Sequence, residues 1–250
     1  MTTSTYEQTR QAWRDIWIGT EFDNELRSLD YPRSRELLDL YLPFLNKARL
    51  TLEAGSGPAH IVYYLEQRGY PTLGLDYAPE ALRFTHERLP DLRLHLGDVH
   101  ALPYRADLFG AYLSFGVLEH FEQGPEPALR EAYRVLAPGG VLVLTIPHSQ
   151  VTDQLYKLRE RLRPGKVKRA AYYERTYPHL ELAEYVKKAG FRIERMEPIG
   201  HSYTLYGLLP IFRKRGSYYE TSALGERAGC VLRRILPWRF AFHTLIIARK

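Results

Sequence analysis

The 250 residues suffice for one α/β domain with helical additions and fall short of two full domains. Composition excludes disorder and collagen-like bias, and the single cysteine, Cys230, excludes an internal disulfide framework and a multi-cysteine zinc site. Met1 to Trp17 shows no basic segment followed by an apolar one, so no signal peptide is read. No apolar run approaches the roughly 20 residues that span a bilayer. The cytoplasm is the expected compartment. The net charge of +6 gathers late in the chain, in Lys157, Arg159, Arg161, Arg163, Lys166, Lys168 and Arg169 and in Arg213-Lys214-Arg215. Such runs are usually solvated faces; the alternative is a surface for anionic substrate, nucleic acid or acidic lipid.

In chain order, residues 1–48 read as a helical lid. Trp13, Ile16 and Trp17 share one face of a helix, and Leu37, Leu38, Tyr41, Leu42 and Leu45 stripe another that opens at Tyr31-Pro32. From residue 49 short apolar runs alternate with helical patterns. Strands are expected at Leu50–Ala54, Pro71–Leu75, Leu92–Leu96, Ala111–Ser114 and Val141–Ile146. Helices are expected from Pro58 towards Gly69, over Pro79–Arg88 and over Pro125–Leu136. Strands alternating with helices imply right-handed crossovers and a parallel sheet covered on both faces. After a polar, basic insertion at 148–176, a helix resumes at Tyr177–Ala189 and a strand at Phe191–Pro198. Residues 199–240 read as an irregular, Tyr-rich basic excursion before a last strand, His243–Ala248. Within it Ala228, Val231, Leu232, Ile235 and Leu236 lie on one side of a short helix with Arg227, Arg233 and Arg234. Packing against the core is the expectation there, and a lipid surface the alternative.

In an open α/β sheet, ligands bind beyond the carboxyl ends of the strands near the topological switch point. The turn Gly55-Ser56-Gly57 leaves the first strand without bulky side chains, and the helix after it points free N–H groups at whatever sits there. Glu53 precedes the turn, and Asp76 ends the second strand about 20 residues on, where a carboxylate typically takes two ribose hydroxyls. Asp98 ends the third strand and suits a nucleobase amine. Helix capping or turn formation is the structural alternative for each acid.

On these residues the chain resembles the class I S-adenosylmethionine (SAM)-dependent methyltransferases, in the small-molecule branch that includes the ubiquinone and menaquinone methyltransferases. The resemblance covers roughly residues 48–147. It rests on Glu53-Ala54-Gly55-Ser56-Gly57, on Gly74-Leu75-Asp76-Tyr77-Ala78, on Gly97-Asp98-Val99, on Ser114-Phe115-Gly116-Val117-Leu118-Glu119-His120-Phe121 and on Leu136-Ala137-Pro138-Gly139-Gly140. It implies a doubly wound, mostly parallel seven-stranded sheet carrying N-terminal helices and lid insertions. It also implies SAM as cofactor, S-adenosylhomocysteine as product and no metal. Residues 53–58 would hold the amino-acid end of SAM, Asp76 and Tyr77 the ribose side and Asp98 the adenine. Val99 would pack on the adenine ring, and Phe115 and Gly116 would line the methionyl side. Two departures stand out. Ala59 replaces a third glycine, a change read as minor at a helix start, and Phe109-Gly110 replaces Phe-Asp, which would loosen the start of the fourth strand.

Methyl transfer needs the acceptor held close to the methyl and in line with its leaving sulfur, and an oxygen acceptor needs a base. His120 and His148 are the candidates for that assistance; His60, His86, His95 and His179 read as surface or packing residues. The acceptor is expected to be a small molecule recognised by the lid segments 1–45, 148–176 and 199–240. A nicotinamide oxidoreductase would need glycine where His60 stands. A nucleic-acid methyltransferase would show an Asn-Pro-Pro-Tyr-like motif, a catalytic cysteine near strand four or an RNA-binding module. A SAM-binding regulator without turnover is the non-enzymatic alternative.

Overall fold

A computed structural model describes residues 5–18, 20–148 and 174–250, with Val151, Gln154, Leu158, Arg161 and Leu162 between them. Most of the basic run expected at 157–169 (Lys157, Arg159, Arg163, Lys166, Lys168 and Arg169) lies outside the described residues.

Seven strands form one sheet: β1 (Thr51–Ala54), β2 (Thr72–Asp76), β3 (Leu94–Leu96), β4 (Phe109–Phe115), β5 (Leu136–Pro147), β6 (Arg192–Ile199) and β7 (His243–Arg249). Their order is β3-β2-β1-β4-β5-β7-β6, so the chain reverses direction across the sheet between β1 and β4. Every pair from β3 to β5 is parallel, and β7 runs antiparallel to both β5 and β6. The doubly wound sheet implied by the resemblance is therefore present, with its switch point beside β1.

Helices α1 (Thr5–Ile18), α2 (Phe22–Ser28) and α3 (Pro32–Tyr41) precede the sheet. Then come α4 (His60–Glu66), α5 (Pro79–Arg88), α6 (Glu126–Val135), α7 (His179–Lys188), α8 (His201–Leu208) and α9 (Ala223–Ile235). The core lies on both faces of the sheet. One cluster gathers Leu52, Leu75, Tyr112, Leu129 and Leu144, and the other Leu38, Tyr41, Leu65, Leu113 and Leu245. Alternate strand residues serve opposite faces, which is why β1, β2 and β5 read as continuous apolar runs.

Three expectations need correction. Strand β4 begins at Phe109, with a register shift between Phe109 and Ala111. A β-carbon on Gly110 would stand 2.4 Å from Arg49 Cβ, so glycine there admits the Arg49 stem rather than loosening the strand. Residues 199–240 are not irregular but contain α8, a 3₁₀ turn at Pro210–Phe212 and α9. Ser222 caps α9 by accepting the Gly225 N–H at 3.2 Å. Finally, α9 packs through Gly225 and Gly229, where β-carbons would meet Phe212 and Ser202, whereas Val231, Ile235 and Leu236 are exposed.

Candidate active site

A cavity opens at the carboxyl ends of β1, β2 and β4. Glu53, Gly55, Ser56 and Gly57 line it from the first turn, Asp76 and Tyr77 from the end of β2, and Phe115 and Gly116 from the end of β4. Trp13 and Trp17 of α1 close one side, and His60, His120 and Phe121 complete the wall.

The turn is held by its own acid. Asp76 Oδ2 accepts the Gly57 N–H at 2.7 Å, and Oδ1 accepts the Ala78 N–H at 2.8 Å. The Gly55 and Ser56 N–H groups both donate to the Leu75 carbonyl, and the Ala59 N–H donates to Ser56. The Gly55, Ser56, Gly57 and Ala59 amides are therefore already engaged within the protein. At the far side, Thr85 Oγ1 donates to the Pro58 carbonyl at 2.7 Å and ties the loop to α5.

The first turn contributes a carboxylate and a hydroxyl to the cavity lining. Glu53 is buried, its Oε2 has no hydrogen-bond partner, and Ser56 Oγ is likewise unpartnered. Burial holds the Glu53 carboxyl well above its ordinary range, opposed by the Val62 N–H and reinforced by the charge of Asp76. Burial also raises Asp76, against the pull of the Ala78, Gly57 and Tyr77 N–H groups. Two buried acids with unfilled acceptor capacity at a switch point suit a ligand carrying hydroxyls and an ammonium.

Ala59 stands in the left-handed region at φ 57° and caps α4. The missing third glycine is thus a strained position rather than a minor change. This turn delivers His60 into the cavity wall, although the sequence marks it as a packing residue. His60 Nδ1 is buried without a partner, and burial lowers the imidazole pKa, with Glu25 opposing.

Helix α1 supplies the aromatic side. Trp13 and Trp17 stack at 5.3 Å, and Trp13 meets the His120 ring edge-on at 5.1 Å. The helix is fastened to α5 by Arg14 and Glu80 at 2.6 Å. His120 is shared with a second, neighbouring cavity that also holds Asp98, His100 and Phe121. Asp98 Oδ1 accepts the His100 N–H at 2.8 Å and meets His100 Nδ1 at 2.7 Å.

The remaining expected residues lie elsewhere. Ala54 and Val99 are buried in the core beneath the site. His148 does not line the cavity: its Nδ1 meets Thr244 Oγ1 at 3.2 Å and its ring packs near His179 and Trp238. Burial and the nearby His179 lower its pKa. Glu119 is buried beside His120, its Oε1 4.0 Å from Nε2, and burial pushes its carboxyl up to about 8. Among the described residues no cluster of three or more His, Cys, Asp or Glu is placed to hold a metal.

The profile of a family described as a methyltransferase domain matches residues 52–144. The "Probable tRNA methyltransferase 9B" of Bos taurus is 28% identical over 68% of the chain and 40% of its own length. The chloroplastic 2-methyl-6-phytyl-1,4-hydroquinone methyltransferase 1 of Oryza sativa is 28% identical over 68% of the chain and 51% of its own length. The chain thus spans about half the length, or less, of these curated relatives. Among solved structures, a Haloferax volcanii methyltransferase in complex with the Trm112 activator covers 98% of the chain and 97% of itself. It superposes at a TM-score of 0.65 with 18% identity, a likeness of fold.

Proposed function

We propose that this chain is a class I SAM-dependent methyltransferase that methylates a small-molecule acceptor rather than a nucleic acid. The observation that carries the reading is the character of the cavity. Its wall combines two buried acids with Trp13, Trp17, Phe115 and Phe121, and among the described residues no lysine or arginine lines it. A polyanionic acceptor would call for cations to neutralise phosphates near the reacting centre. An uncharged or aromatic small molecule is matched by aromatic walls with a few convergent polar groups.

The donor set also fits the cofactor. Glu53 Oε2 and Ser56 Oγ offer unfilled polar capacity to the amino-acid end, and the buried Asp76 carboxyl offers lone pairs to hydroxyls. Asp98, in the adjoining cavity, is the residue for the adenine amine. When bound, SAM supplies an electrophilic methyl on a sulfonium. Trp13, Trp17 and Phe115, which line the cavity, would exclude water from around that charge and so favour its neutralisation in transfer. His120, on the wall common to both cavities, takes the proton from an acceptor oxygen, as a neutral imidazole can near pH 7. A carbon or amine acceptor needs no such base.

Calorimetric titration with SAM tests the cofactor site. Asp76→Ala and Gly55→Arg should each weaken binding at least tenfold; unchanged affinity in both would overturn the assignment. Transfer of labelled methyl to a panel of phenols, quinols and amines should exceed transfer to tRNA. Labelling of tRNA alone would replace the small-molecule reading. Binding with no transfer to either would favour a regulator.

A further inference from the structure

The formal charge of the whole chain is +6, and residues 199–240 alone hold seven arginines and lysines against two glutamates, a net of +5. Seven of the fourteen large hydrophobic residues exposed among the described residues fall in the same segment. Charge and exposed apolar surface therefore coincide. On α9 they are ordered. Leu224, Val231 and Ile235 recur at i, i+7 and i+11, which puts them on one stripe of the helix. All three are at least half exposed. Gly225 and Gly229, on the opposite side, carry the packing against Phe212 and Ser202. Arg227 and Arg234 flank the stripe, are exposed, and make no ion pair among the described residues. Arg233, by contrast, turns inward to Glu36.

The position of this face also matters. Both β5 and β6 run antiparallel to β7, so β6 ends at the same end of the sheet as β1. The segment leaves from that end, four strands along from the Gly55–Gly57 turn. Tyr218 Oη donates to Glu25 of α2 at 2.7 Å, which ties the segment to the N-terminal helices.

We propose that this face docks on an anionic lipid bilayer. Helix α9 lies in the headgroup plane, with Leu224, Val231 and Ile235 at the acyl boundary and Arg227 and Arg234 at the phosphates. The charge pattern selects this occupant. A second copy of the same face would set Arg227 and Arg234 against the same two cations, and a nucleic acid would leave the aliphatic stripe in water. The docking does not depend on the identity of the methyl acceptor.

Vesicle flotation of the full chain at low salt tests it, with Val231→Asp/Ile235→Asp and Arg227→Gln/Arg234→Gln as variants. The protein should float with mixed phosphatidylcholine–phosphatidylglycerol vesicles and not with phosphatidylcholine alone. At about 1 kcal/mol per basic residue near the surface, the arginine pair should weaken binding by about thirtyfold. The aspartate pair should abolish it, with SAM affinity unchanged in both. No flotation with the mixed vesicles overturns the proposal, as does flotation that neither double variant alters. Retention of tRNA in place of vesicles also overturns it, as does a solution dimer that the aspartate pair dissociates without any vesicle binding by the parent. The arginine pair, at exposed positions, decides the matter even if the aspartate pair fails to fold.

Discussion

The indole of Trp17 lies on the backbone of Gly57: a β-carbon at position 57 would stand 2.7 Å from Trp17 Cζ2. Residue 57 also sits at φ +50°, where side chains are disfavoured. The glycine therefore serves the loop's own conformation and the approach of α1 over it.

Gly57→Ala should accordingly act twice. Left-handed strain should remove about 1–2 kcal/mol of stability, and the displaced indole should shift the tryptophan emission. SAM affinity should fall at least tenfold in calorimetry. A variant that keeps both emission and affinity would show that α1 does not depend on this contact.

Asp76→Asn separates the loop clasp from general acidity. The amide keeps one acceptor oxygen for two backbone donors, Gly57 and Ala78. One buried N–H is then left unpaired, at a cost of about 1–3 kcal/mol. Urea unfolding should show that loss without any ligand present. Stability equal to the parent would mean the clasp carries no weight in folding.

Glu119 gives a pH signature. Its folded pKa, pushed to about 8 from an ordinary 4.5, means the folded state keeps a proton that the unfolded chain has lost. The stabilising contribution is complete below the unfolded value and declines as pH rises through that window, by at most about 1.4 kcal/mol per pH unit. Glu119→Gln, neutral throughout, should match the parent near pH 4.5 and exceed it above pH 8 in thermal melts. Parallel curves for the two proteins would refute the burial effect.

Ala59→Gly should be neutral or stabilising by a few tenths of a kcal/mol, because relief of left-handed strain outweighs the added freedom of the unfolded chain. Glycine introduced at an ordinary helical position would instead cost about 1 kcal/mol. Differential scanning calorimetry distinguishes the two signs.

Much of this was legible in the sequence because the site is built from strand ends. Glu53 and Asp76 close apolar runs whose spacing fixes the crossovers, so their convergence follows from topology, and Asp98 closes the next run at the neighbouring cavity. His60 was hidden because its placement depends on the left-handed turn at Ala59, and alanine does not advertise that conformation. His148 lies just beyond β5, as expected, but the antiparallel return of β7 brings Thr244 against it, a pairing with no local signal. The packed side of α9 differs from the expectation for a related reason. Its close contacts run through Gly225 and Gly229, residues with no hydrophobic signature, while its apolar residues face outward.

The self-satisfied amides of the Gly55–Gly57 turn have a thermodynamic consequence. With Leu75 and Asp76 already holding the backbone, the loop is ordered before any ligand arrives. The ordering entropy that a slack glycine turn would surrender on association is carried by folding instead. Ligand discrimination then falls to the side chains that remain unpartnered, Glu53 and Ser56, and to the indole rings that line the cavity.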